Sequence, residues 1–88
     1  MAAREAQPGT EMSRLTEQRS AFADEFVESY VCWREACEDV RAAYERWVNC
    51  EPQQLDMGFA TYRAALEREE HAASIYSDWT ERLGAVAR

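Results

Sequence analysis

The sequence predicts an all-α protein, an antiparallel two-helix hairpin of coiled-coil-like spacing that pairs into a four-helix bundle dimer. Large apolar side chains recur at alternating intervals of four and three residues along two stretches, which is the heptad spacing of packed helices. A strong helix break, Asn49-Cys50-Glu51-Pro52, separates the two stretches. Two long helices joined by so short a link must fold back on each other.

The two heptad stretches predict how the helices face each other. The first carries Phe26, Tyr30, Trp33, Cys37, Val40, Tyr44 and Trp47, and the second carries Leu55, Phe59, Tyr62, Leu66, Glu69, Ala73, Tyr76, Thr80 and Leu83. Counting outward from the turn predicts seven facing pairs: Trp47 with Leu55, Tyr44 with Phe59, Val40 with Tyr62, Cys37 with Leu66, Trp33 with Glu69, Tyr30 with Ala73, and Phe26 with Tyr76.

Helix start and stop signals place the boundaries of a single domain. Thr10 or Ser13 can cap the first helix, Pro52 suits the first turn of the second, and Gly84 can end it. The predicted organisation is a flexible tail over 1–10, a hairpin domain over 11–84 with helices at about 12–49 and 53–84 and a turn at 50–52, and fraying over 85–88.

Composition excludes several classes of function. Hydrophobic residues make up 47% of the 88 residues, too many for intrinsic disorder. The net charge is −7, and all ten basic residues are arginine. An acidic chain is a poor match for nucleic acid, whose binding depends on clustered basic side chains, and for an anionic membrane surface. We therefore expect a protein partner.

Cysteine usage and the N-terminal sequence favour a cytoplasmic location. Three cysteines in so short a chain do not form a disulfide framework, and no C-x-x-C motif is present. The N-terminal residues lack the apolar stretch of a signal peptide, and no run approaches the ~20 apolar residues that span a bilayer.

The two flanks of the heptad seam differ in polarity. One is mostly charged, as a solvated flank should be, whereas the other is apolar and rich in alanine. An exposed apolar strip of this size favours an interface with a partner, most simply a second copy. Alanine is also a good helix former, which explains the alanines without any partner. The predicted partner interface comprises Phe22, Ala36, Ala43, Cys50, Ala65, Ala72, Ile75 and Trp79.

Glu69 interrupts the apolar seam of the second helix. A buried carboxylate is costly unless it is paired, and the predicted register offers it the indole N–H of Trp33 and the neighbouring Arg34. Glu69 is then a polar residue that fixes helix register, as such residues do in coiled coils. The functional alternative is a ligand or a general base.

No arrangement of residues indicates catalysis, a cofactor or a metal site. His71 is the sole histidine, and it is not part of a Glu-x-x-His pair, because position 68 is arginine. A surface histidine beside Glu67 is the ordinary interpretation. Phosphate-binding, dinucleotide and serine-nucleophile motifs are missing from the sequence as well. A small ligand- or metal-binding bundle is the third-ranked interpretation.

The tripeptide Trp47-Val48-Asn49 at the predicted turn resembles the W-x-G motif of the small helical-hairpin proteins of type VII secretion. The resemblance covers the hairpin architecture and Trp47, with Asn49 in place of the glycine. The Tyr-x-x-x-Asp/Glu signal of that family is not matched, because Thr80 follows Tyr76 at the fourth position. Such a resemblance implies an exported helical-hairpin dimer. It is the alternative to our leading interpretation, a non-enzymatic interaction module that self-associates or docks on a protein partner through the alanine-rich flank.

Overall fold

The computed structural model describes the backbone of residues 8–87 and the side chains of residues 12–85. It confirms the all-α hairpin. Helix α1 spans Pro8–Val48, a short 3₁₀ turn spans Pro52–Gln54, and helix α2 spans Leu55–Ala87. The helices pack side by side in a single layer of 79 × 26 × 13 Å.

Both outer helix ends differ from the prediction. Helix α1 is described from Pro8 onward, so Thr10 and Ser13, the predicted caps, lie within it. The first seven residues of the predicted tail lie outside the described residues. Helix α2 continues through Gly84 to Ala87, and Gly84 does not adopt the left-handed conformation with which glycine ends helices. Of the predicted frayed segment, Arg88 lies outside the described residues.

The turn is closed by local hydrogen bonds. The backbone N–H and the side-chain amide of Asn49 both donate to the carbonyl oxygen of Glu45, at 3.2 and 2.8 Å. Glu51 is extended, with φ −69° and ψ 153°, as a residue before proline prefers. Pro52 then opens the 3₁₀ turn, in which the Gln54 N–H donates to the Glu51 carbonyl oxygen at 2.8 Å. These bonds bring α2 back alongside α1.

The helices contact each other along a seam displaced by one heptad position from the predicted one. Among residues 12–85, the buried side chains are Ser29, Ala36, Ala43 and Ala65, none of which belongs to the predicted seam. By contrast Tyr30 and Tyr44, which do belong to it, are 42% and 47% exposed. The observed contact seam, whose members are all buried or half-buried, comprises Phe22, Phe26, Ser29, Trp33, Ala36, Val40, Ala43, Trp47 and Cys50 of α1 with Gly58, Tyr62, Ala65, Glu69, Ala72, Tyr76 and Trp79 of α2.

Small residues alternate with large ones along this contact seam. On α1 the small side chains recur every seven residues at Ser29, Ala36 and Ala43. Gly58, Ala65 and Ala72 repeat the pattern on α2. Small side chains let two helix backbones approach closely, and the large residues between them then pack over the facing helix. Helix packing therefore centres on the small side chains.

Contacts confirm two of the seven predicted pairs. The rings of Phe26 and Tyr76 lie 5.6 Å apart, and the Trp33 indole reaches Glu69. Both are predicted pairs. Elsewhere the rings of the two helices contact across other pairs, Tyr44 with Tyr62 and Trp47 with both Phe59 and Tyr62.

Gly58 lies where α2 comes closest to the end of α1. A Cβ atom at position 58 would stand 3.2 Å from Trp47 Cδ1, 3.4 Å from Trp47 Cα and 3.5 Å from Cys50 Sγ. The first of these distances is tighter than ordinary van der Waals contact. Glycine at this position therefore permits the close approach next to the turn, which offsets its low helix propensity.

The two helical glycines should respond differently to alanine. Nothing lies within 4 Å of a Cβ atom at Gly84, so Gly84→Ala should raise the free energy of unfolding by up to about 1 kcal/mol through helix propensity. In Gly58→Ala the contact with Trp47 should cancel most or all of that gain. Urea denaturation at one fixed protein concentration measures both variants, and equal gains would contradict the close approach at Gly58.

Candidate interaction surface

One face of the hairpin is apolar and half-exposed, and we call it the aromatic face. It lies one heptad position to one side of the contact seam on both helices. Its exposed members include Tyr30 and Tyr44 on α1, and Phe59 on α2, which is 44% exposed. The half-buried positions between them are Cys37, Leu66 and Ala73. The aromatic face therefore consists of the positions of the predicted seam that lie beside the contact seam, where the rings touch the facing helix on one side and stay partly exposed to solvent.

The aromatic face carries the same three-ring arrangement twice. In the first triad, the Tyr76 ring stacks on Trp33 at 5.4 Å and lies 5.5 Å from Tyr30, which is 6.2 Å from Trp33. The second triad consists of Tyr44, Trp47 and Tyr62. In it the Tyr62 ring stacks on Trp47 with centroids 5.4 Å apart and lies 5.5 Å from the Tyr44 ring. The rings of Tyr44 and Trp47 are 6.1 Å apart.

The triads repeat because the sequence does. Fourteen residues separate Tyr30 from Tyr44 and Trp33 from Trp47, which is two heptads, or about 21 Å along a helix. In each triad a tryptophan of α1 lies nearly parallel to a tyrosine of α2, with interplanar angles of 6° and 16°. Each triad joins the two helices while leaving one tyrosine of α1 largely open to solvent.

Trp33 and Glu69 form the polar contact within the seam. The Trp33 Nε1–H donates to Glu69 Oε2 at 2.9 Å, and both side chains are half-buried. This is the partner that the register predicts for Glu69, whereas Arg34 is exposed. The carboxylate thus satisfies an indole N–H that would otherwise be buried without an acceptor. Stacking on Tyr76 and this hydrogen bond together hold the Trp33 ring in place.

The opposite side of the hairpin is a groove lined by small and charged residues, and we call it the groove face. A shallow depression of about 580 Å³ runs over Ala36 and Ala72. Its remaining lining residues are Cys32, Glu35, Asp39, Ala64, Glu67, Arg68 and His71. Mostly charged walls over a floor of alanine are typical of a solvated surface. His71 and Glu67 are both exposed here, as the sequence predicts for a surface histidine.

The structure separates the residues predicted to form the partner interface. Ala36, Ala43 and Ala65 are 9%, 3% and 1% exposed, so they pack mainly within the hairpin. Ala72 is half-buried in the groove, and Ile75 is 40% exposed at the end of that groove. The prediction differs here because it assigned the helix contact to the largest side chains, whereas the small ones allow the closest approach.

The remaining predicted interface residues lie at the two ends of the seam. Phe22 and Trp79 pack edge to face on each other, with ring centroids 5.2 Å apart, and Arg82 lies over the Trp79 ring at 4.7 Å. At the other end, Cys50 is half-buried and its thiol donates to the Trp47 carbonyl oxygen at 3.1 Å. These contacts close the hairpin at its open end and at its turn.

In the part of the chain that the structure describes, no group of three or more histidine, cysteine or acidic side chains is placed to hold a metal ion. Neither α1 nor α2, as far as they are described, is long and apolar enough to cross a membrane.

No protein-family model, curated protein or solved structure matches this chain.

A sequence signal for the contact seam exists, although the prediction assigned it to the flank. Small residues recur with heptad spacing on both helices. When the chain folds back at Pro52, the two series come to lie opposite each other. Ser29 belongs to this series because its hydroxyl donates to the Phe26 carbonyl oxygen at 2.7 Å, which lets it pack as a small residue without an unpaired polar group. Matching small positions across the turn would have identified the seam.

The Trp33–Glu69 hydrogen bond should appear as an energetic coupling between these positions. In a double-mutant cycle, Trp33→Phe and Glu69→Leu should couple by about 1–2 kcal/mol, because each change removes the same bond. Glu69→Leu should retain the helical circular dichroism. The control is Glu70→Leu, an exposed neighbour, which should not couple to Trp33→Phe. Urea unfolding measures all variants, and a coupling near zero for Glu69 would contradict a structural role for this bond.

Proposed function

We propose that this protein is a non-enzymatic, cytoplasmic interaction module that binds a helical protein through its aromatic face. The observation that carries the proposal is the half-exposed stripe of tyrosine and phenylalanine on a hairpin only one helix layer thick. Domains normally consist of at least two packed layers around a core, so an isolated hairpin of this kind lacks a layer.

Burial within the hairpin supports the same proposal. In the part of the chain whose side chains are described, no large side chain is fully buried. On the aromatic face, Tyr30, Tyr44 and Phe59 are 42%, 47% and 44% exposed. These half-exposed rings form an open apolar surface. A packed second layer would remove much of it from water and stabilise both partners.

The chemistry of the face favours a protein partner over a small molecule. Tyrosine and tryptophan dominate the residues that contribute most to protein–protein binding, because they offer large rigid surfaces with one polar group. The face is a shallow stripe that follows two parallel helix axes. Another helix or helix pair matches that shape by laying its own apolar stripe along it.

The groove face is the less suitable surface for such a partner. Its exposed acidic residues Glu35, Asp39 and Glu67 would have to be desolvated on binding. Glu69, the one carboxylate in the seam, already accepts the hydrogen bond from Trp33, which supports a structural role rather than a catalytic one.

Photo-crosslinking from the two faces tests the proposal. A benzophenone amino acid replaces Tyr44 on the aromatic face or, as the control, Asp39, which is exposed on the groove face of the same helix. After irradiation in the cells that produce the protein, position 44 should yield a discrete covalent adduct with a protein and position 39 should not. The lack of an adduct at position 44, or equal labelling from both positions, would refute the proposed surface.

A further inference from the structure

We infer that the missing layer is a second copy of this chain, packed antiparallel on the aromatic face to form a four-helix bundle whose two-fold axis crosses α1 at the level of Cys37. The inference rests on the proposed function and names its partner. Three features of the hairpin support it: the rotation of the large residues away from the contact seam, the area of the face, and the symmetry of its stripe.

The first feature is the direction in which the large residues point. On both helices the predicted seam of large residues lies one heptad position from the contact seam, a rotation of about 50° around the helix axis. Both rotations turn toward the aromatic face. In a four-helix bundle of square cross-section, the centre lies about 45° away from the direction of the neighbouring helix. The large residues therefore point to where the centre of such a bundle would lie.

This geometry also explains the heptad pattern that first predicted the fold. The stripe from Phe26 to Trp47 would serve two contacts at once. Trp33 and Trp47 cover the facing helix, whereas Tyr30 and Tyr44 extend into the space that a second hairpin would fill. A second hairpin with the same rotation meets this one with an equivalent stripe, as a symmetric dimer requires.

The second feature is the area available for contact. From the level of Cys37 to the turn is about 21 Å, so two antiparallel copies centred there would overlap over roughly 42 Å. Two packed helices, each about 10 Å across, present a face roughly 20 Å wide. The overlap then has an outline of about 800 Å² on each copy, comparable to the roughly 800 Å² per partner of a standard stable interface.

The third feature is the order of side chains along the edge of α1 that would meet its copy. Residue types along this stripe are symmetric about Cys37: Val27, Tyr30, Arg34, Cys37, Arg41, Tyr44 and Val48. A two-fold axis at Cys37 sets Tyr30 level with the partner's Tyr44 and Val27 level with the partner's Val48. The two aromatic triads lie at equal distances from this axis, so each triad meets the other triad of the second copy.

The charges of the two faces also bear on self-association. The groove face carries Glu35, Asp39 and Glu67 beside Arg68 and His71, so two copies meeting there would bring an excess of acidic groups together. With the aromatic faces joined, both grooves point outward into solvent. The axis then sets Arg34 level with the partner's Arg41, and on its own helix each arginine has a glutamate four residues later, Glu38 and Glu45, to offset the repulsion.

The native cysteines provide the test, because each reports a different geometry. Variants that retain one cysteine, with serine at the other two positions, are treated with a short bis-maleimide crosslinker, and light scattering on a sizing column gives their mass. The inference expects a mass twice the 10.2 kDa of the chain, together with efficient crosslinking through Cys37. Cys32, exposed on the groove face, should give little crosslinked dimer.

Each other result overturns a stated part of the inference. A dimer that crosslinks through Cys50 instead has its turns at the same end and is parallel, whereas one that crosslinks through Cys32 uses the groove face. A monomer at micromolar concentration overturns self-association altogether. If the chain is a monomer but position 44 forms an adduct with a different protein, the proposed function still stands. If the chain is a monomer and position 44 forms no adduct, the dimer and the proposed function are both overturned.

Tyr44→Glu checks the assignment of the face independently. A charge on the aromatic face should shift the dimer to monomer, and the helicity should be retained.

Discussion

The close approach of two helices along a stripe of small side chains is the constraint on which the rest of this structure depends. Ala36, Ala43 and Ala65 are the most enclosed apolar residues among those described, although they are also the smallest. Their size lets the backbones approach, and the approach in turn brings Trp47 against Gly58 at the turn. Larger residues at these positions would separate the helices and loosen both tryptophan–tyrosine stacks.

This constraint also determines which surfaces the hairpin can offer. Because alanine occupies the space between the helices, the large side chains cannot all be buried there, and the aromatic face is the result. The groove face follows from the same cause, since a floor of small residues leaves a depression between charged walls. One choice of residue size along the seam thus produces both the apolar surface that we propose as an interface and the acidic surface that stays solvated.

Much of the fold could be predicted from the sequence, and the part that could not has a clear physical reason. Heptad spacing and Pro52 predict two helices, their antiparallel direction and part of their register, including the Trp33–Glu69 pair. The heptad spacing alone does not determine whether a stripe of large residues faces a single neighbouring helix or the centre of a bundle of several helices. Ala65 and Leu66 are neighbours in the chain, and a small rotation of α2 decides which of them is enclosed. The helix ends were also missed, because Pro8 and Gly84 are tolerated within helices.

The most direct test of the small-residue seam is the free energy of unfolding of Ala65→Leu, with Ala60→Leu as the control. Both changes add the same atoms to α2, but Ala65 is enclosed and Ala60 is exposed. At one fixed protein concentration, overpacking should destabilise Ala65→Leu by about 1–3 kcal/mol, whereas Ala60→Leu should stay within about 0.5 kcal/mol of the parent. If Ala65→Leu were as stable as its control, the helices could not be packed on their small residues.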